Sequence, residues 1–180
     1  SATLNKLTVE QVADLTQATL VAIATGALQG VSTAQLNALD SAQVQQLSTS
    51  QVQALTSAQL NNVDTAQLAN LSSTQVQKLS SAQLNALSST AMQALETGDV
   101  QAMSSTQVQA LKVETLNELS RDQLQTLSST QLQLLNSTQL NGLNSTALQA
   151  LTTVQINALT SGQVPGLTSA FVNNLSSDQV

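Results

Sequence analysis

Aliphatic residues recur along this chain at alternating intervals of five and three, and the rhythm never slips. Counting in steps of eight from Leu7 gives 22 octads without insertion or deletion, the last being cut short at Val180. The first position of each octad is Leu, with Ile23, Val31, Val63 and Met103 as the exceptions. The sixth is as strict, running Val12, Leu20, Leu28, Leu36, Val44 and onward to Val180. Polar residues fill the gaps. Position 2 is Ser, Thr, Asp or Asn in 19 of 22 octads, Ala24, Glu96 and Lys112 departing, and position 5 is Gln in 15 of 22. The phrase L-[ST]-[ST]-x-Q-[VL]-[QN]-A is therefore a tandem repeat, as in LSSTQVQK at residues 71–78.

Each octad reads as a helix initiator. A hydroxyl or carboxamide at position 2 is an N-cap, able to accept from an orphan backbone N–H. Gln three residues later reaches back to the cap's own N–H and completes a capping box. The aliphatics at positions 1 and 6 then stand at N′ and N4, the two partners of a hydrophobic staple. The next cap arrives two residues after position 6, so each helix has about five or six residues, below the usual three turns. Glycines 30, 142 and 166 fall at position 8, where a left-handed C-terminal residue is expected, and Pro165 at position 7 is expected to end its helix early.

Two other readings meet physical objections. In one continuous helix, octads lie about 80° out of phase, so the apolar stripe would wind around the axis beyond what supercoiling absorbs. In a β-solenoid or functional amyloid, Ser, Thr, Gln and Val suit stacked ladders. The five-then-three spacing, however, puts the two aliphatics on opposite faces of a strand. A lone octad does not fold: ordering it costs roughly 8–16 kcal/mol of backbone entropy, against about 3–6 kcal/mol from burying two aliphatic side chains. The expectation is an all-α solenoid of very short capped helices, one per octad, with positions 1 and 6 as its core and the β-solenoid as the alternative. Whether two or three octads make one coil does not follow from the pattern. Residues 1–180 are expected to be one array and a segment of a longer one, with Leu4 at position 6 of a preceding octad.

Composition narrows the chemistry. The chain has no Cys, His, Trp or Tyr, one Phe (Phe171) and one Pro (Pro165). Thiolate, imidazole, disulfide and soft-metal sites are thus outside its own means. Ten acidic residues against four basic ones give a net charge of −6, a poor match for nucleic acid or an anionic membrane. The longest apolar run, Leu20–Ala24, is too short to span a bilayer, and no signal peptide is expected at the start. The abundant hydroxyls have no evident activating base, and capping accounts for them. The densest charge lies in octads 14 and 15, with Lys112, Glu114, Glu118, Arg121 and Asp122. Glu114 and Asp122 share position 4 of adjacent octads, which raises a carboxylate pair or a weak Ca²⁺ site. A solvated patch with local ion pairing explains the same residues with less. Octads 2 and 3, and Phe171 in place of a Gln, are candidate contacts with another chain, although drift within a redundant array accounts for both. No catalytic residue, cofactor or metal ligand is assigned.

LTVEQV at 7–12 and VAIA at 21–24 are similar to helix starts of TAL-effector repeats, but the short period and acidic charge set this chain apart. Phrases such as LSSTQVQ at 71–77 and LTSAQL at 55–60 resemble the octapeptide tracts of very long secreted or surface proteins of Gram-negative bacteria, adhesin-like or RTX-like. The resemblance spans essentially the whole chain. It implies an extracellular or cell-surface spacer, stalk or filament subunit, not an enzyme, with a glycan-, surface- or self-binding module as the alternative. It implies self-association or neighbouring repeats as partners, and no nucleic acid or membrane insertion.

Overall fold

A computed structural model of the chain describes residues 6–179. The readings made for Leu4 and Val180 lie outside the described residues. Within them every octad from 1 to 19 carries one α-helix, from α1 (Val9–Ala13) to α19 (Thr153–Asn157), and octad 21 carries α20 (Ser169–Asn173). The helices are four to six residues long, and no strand occurs among the described residues. The all-α solenoid is therefore the fold, and the β-solenoid alternative is excluded. Octad 20 is the exception. Its Pro165 lacks the N–H a helix needs, and the chain makes only a 3₁₀ turn, Val164–Gly166.

The caps form as their residue types dictate. In α9 (Ser73–Val76), the Ser72 side chain accepts from the Gln75 N–H at 3.4 Å, and Gln75 Oε1 accepts from the Ser72 N–H at 2.8 Å. The octads capped by Thr8, Ser32, Ser48, Ser104 and Asn136 repeat both halves. Positions 1 and 2 are extended, as at Leu55 (φ −64°, ψ 138°) and Thr56 (φ −75°, ψ 155°). These two residues swing the chain from each helix to the next.

The glycines at position 8 do not adopt the expected conformation. No described glycine has positive φ, and Gly142 sits at φ −85°, ψ −8°. Two of them answer a different need, the close approach of neighbouring coils. A Cβ on Gly142 would lie 2.5 Å from Val113 Cγ1, and one on Gly166 would lie 2.9 Å from Ser137 Cβ. The left-handed cap is unnecessary because the next octad's extended positions end the helix themselves.

Helices pack on those three octads away: α1 on α4 (Thr33–Asn37), α9 on α12 (Thr97–Gln101), and α12 on α15 (Arg121–Thr126). One coil of the solenoid is thus three octads, or 24 residues, and octads stack in three columns. Positions 1 and 6 line a single continuous core, with Val52, Val76, Leu84, Met92, Val100, Leu140 and Leu148 fully buried. The core is wider than the pattern implied, because position 5 joins it: thirteen glutamines are buried, and all occupy that position. Val164 and Val172, at position 6 of octads 20 and 21, are instead 54% and 51% exposed, since no later described coil lies over them.

Candidate functional site

The buried glutamines form a polar constellation that runs through the described residues. Gln75 shows its geometry. Its Oε1 closes the capping box of its own helix, while its Nε2 donates to Val44 O and Leu47 O, both at 2.8 Å, on the coil beneath. Those carbonyls lie 31 and 28 residues earlier. The same pair of offsets recurs at Gln51, Gln59, Gln107, Gln123, Gln155, Gln163 and Gln179. Each amide therefore starts a helix with its oxygen and ties that helix to the previous coil with its nitrogen. The nearer carbonyl, as at Leu47, sits where one helix has ended and the next has not begun, so it needs a donor from elsewhere. The farther one, as at Val44, already accepts from the Leu47 N–H and takes the amide as a second donor.

This second duty explains why the residue is Gln. A capping box accepts Glu or Gln, yet position 5 holds fifteen Gln and no Glu. Glu would supply the acceptor and lack the donor, and its charge would face carbonyl oxygens.

In four of the seven octads whose position 5 is not Gln, a second clamp takes over the orphan N–H. Asn85 Oδ1 accepts from the Lys112 N–H at 2.8 Å and from the Thr115 hydroxyl at 2.9 Å, while its Nδ2 donates to Ala110 O at 2.7 Å. Asn61 serves Ser88, Asn117 serves Asn144, and Asn141 serves Thr168, each 27 residues below its partner. In those four octads position 5 is Ala91, Thr115, Ala147 and Phe171. Asn37 does the same for Asp64, and there Gln67 keeps its nitrogen bonds to the coil beneath while its buried Oε1 is left without a partner. Two interchangeable devices thus satisfy one backbone group. Asn85→Ala should cost about 1–2 kcal/mol by stranding the Lys112 N–H. Adding Thr115→Gln should recover at least half of that loss, read as the coupling in a denaturation double-mutant cycle.

The charged cluster of octads 14 and 15 does not become a site. Three octads to a coil set these two octads in different columns, and Lys112, Glu114, Arg121 and Asp122 are exposed. No group of three or more acidic residues able to hold a metal ion occurs among the described residues. Phe171 is 3% exposed, so the contact proposed for it with another chain is replaced by core packing. In octads 2 and 3, Val21 is half exposed while Leu20 and Leu28 are buried.

A 24-residue overlay in the sequence carries the coil number. Gln occupies position 5 in every octad of one column, at Gln11, Gln35, Gln59, Gln83, Gln107, Gln131, Gln155 and Gln179. All seven departures fall in the other two columns.

Four stretches, 33–63, 60–97, 92–129 and 135–169, match the model of the ALTTAQ repeat. The chain belongs to the ALTTAQ repeat family. The signature is legible in ALTSAQ at 54–59 and ALTTVQ at 150–155, which span positions 8 and 1 to 5 of the octad. Its final Gln is the residue that makes the rung between coils. No curated protein matches the chain.

Proposed function

We propose that this ALTTAQ array is a structural spacer, the stalk or filament segment of a secreted or surface protein of a Gram-negative bacterium. One observation carries the reading: the same amide rung joins coil to coil from Gln35 to Gln179, over a single unbroken core. Such a molecule grows by adding coils and needs no other part to hold it, so its length is set by repeat number. No helix of the described residues is long and apolar enough to cross a membrane. Particle lengths measured by electron microscopy on arrays lacking one, two or three coils should fall in equal steps. Unequal steps, or collapse to globules, would remove the spacer reading.

A second reading has its own support. Position 3 of one column is a run of hydroxyls at Thr33, Ser57, Ser81, Ser105, Ser129 and Thr153, all partly or fully exposed and 24 residues apart. A periodic hydroxyl face suits a repetitive ligand such as a glycan, a solid surface or another copy of the array. Changing Ser57, Ser81 and Ser105 to Ala leaves a spacer's length and its host's adhesion unchanged, whereas a binding face loses adhesion at constant length.

A further inference from the structure

Asp99 is the one ionisable side chain at position 5, the place of the glutamine rung. It is 3% exposed. Its Oδ1 accepts from the Ser73 hydroxyl at 2.7 Å, and its Oδ2 is buried without a partner. The register that holds for Gln75 and Gln107 sets the carbonyls of Leu68 and Leu71, 31 and 28 residues earlier, beneath this position. Leu68 O already accepts from the Leu71 N–H, and it is the Leu71 oxygen, between two helices, that calls for a donor. A carboxylate offers only lone pairs, whereas a carboxylic acid offers an O–H.

Octad 12 is poorly held in other respects. Glu96 stands at the N-cap without a side-chain cap bond, and no Gln follows at position 5. The residue 27 before it is Ala69, so the asparagine clamp is missing as well. Gly98 lies within the helix with open space where a Cβ would be, which lowers helix propensity without easing any packing. The capping box, the amide rung and the asparagine clamp are thus all missing here, and one buried acid stands in their place, while Leu95 and Val100 keep their places in the core.

We propose that octad 12 is a proton-operated joint in the rod: Asp99 docks α12 as a neutral acid whose O–H stands in for the amide rung, and its ionisation loosens α12 from the coil beneath. Burial raises the Asp99 pKa above its ordinary 3.8, more than the Ser73 hydroxyl and the Glu96 backbone lower it, and the Glu96 charge raises it further. Of the elements packed on α12, α9 carries no ionisable group, and α15 carries Arg121 and Asp122, both exposed. The linkage has a definite sign. The folded state holds the proton more tightly than the unfolded chain, so the joint is fully docked below about pH 3.8. Its stability falls as pH rises and is at its lowest above the folded pKa.

The test is amide hydrogen exchange of α12 and its flanks between pH 4 and pH 8, corrected for intrinsic rates, on the full chain and on Asp99→Gln and Asp99→Asn. In the full chain, opening of α12 should grow about tenfold for each unit by which the folded pKa exceeds that of the open state, and then level off. Asp99→Gln restores the rung and should keep α12 protected at pH 8. Asp99→Asn should abolish the pH dependence even if its protection is lower. Protection that follows the same pH course in all three proteins would overturn the proposal. So would protection at pH 8 that returns on adding calcium or sodium chloride in the full chain alone, because a cation and not a proton would then fill the gap.

Discussion

Gln75→Glu should unfold the array more readily than loss of the cap beside it, although Glu is an accepted capping-box residue. Glu keeps an acceptor for the Ser72 N–H. It also removes the donor from Leu47 O and Val44 O and sets a carboxylate against them, inside a site that is 2% exposed. An unpaired buried charge costs several kcal/mol, part of it avoided by protonation. Gln75→Ala strands the Ser72 N–H and the Leu47 carbonyl, leaves Val44 O with only its Leu47 N–H, and opens a small void. About 1–3 kcal/mol for each of the two stranded groups brings that loss to roughly 2–6 kcal/mol. Ser72→Ala removes one cap at about 0.5–2 kcal/mol. Val76→Asp, at a fully buried core position, should match or exceed the Glu change. Urea midpoints on the four variants check the order. If Gln75→Glu were as mild as Ser72→Ala, the inter-coil rung would carry no weight and capping alone would account for the glutamine.

That ordering departs from what the octad suggests when read by itself, and the departure has a physical source. Caps, staples and helix lengths are local: Ser72, Gln75, Leu71 and Val76 lie within six residues, and their spacing states their roles. The solenoid follows too, because an octad with two aliphatics has to bury them on its neighbours. The rung between Gln75 and Leu47 is not local, and a single octad has no reason to choose Gln over Glu. Two signals nonetheless stood in the sequence. One is the complete absence of Glu at position 5, where a capping box alone would admit it. The other is the 30-residue offset that pairs Asn61 with Ala91, Asn85 with Thr115, Asn117 with Ala147 and Asn141 with Phe171. The octad period, repeated in every unit, masks the 24-residue one. The glycines misled for the related reason that Gly142 answers to Val113 on another coil, which no neighbour in sequence reveals.

The two periods make different predictions for deletions, and the contrast is large. Removing four residues, Leu79–Ala82, joins Lys78 to Gln83 and deletes an aliphatic and its cap together. The junction helix then has no N-cap, and every later column is shifted by half an octad, so loss of helix signal and a much lower melting temperature are expected. Removing one octad, Leu79–Ala86, keeps each local role and so preserves the helices. It also turns every later octad onto a different column. Ser88 then lies over Gln53 and Lys112 over Gln77, and neither finds the asparagine that now completes its cap. Removing a whole coil, Leu79–Ala102, returns every later octad to its own column. Lys112 then meets Asn61 where it had met Asn85, and Gln107 meets the carbonyls of Val52 and Leu55. The coil deletion, though three times as long, should melt closest to the parent, the octad deletion lower, and the half-octad deletion lowest by a wide margin. Circular dichroism on the three proteins decides it. Equal melting of the octad and coil deletions would mean that columns do not matter and that any octad stacks on any other. The 24-residue coil would then be a geometric outcome of the octad and not a unit the sequence maintains.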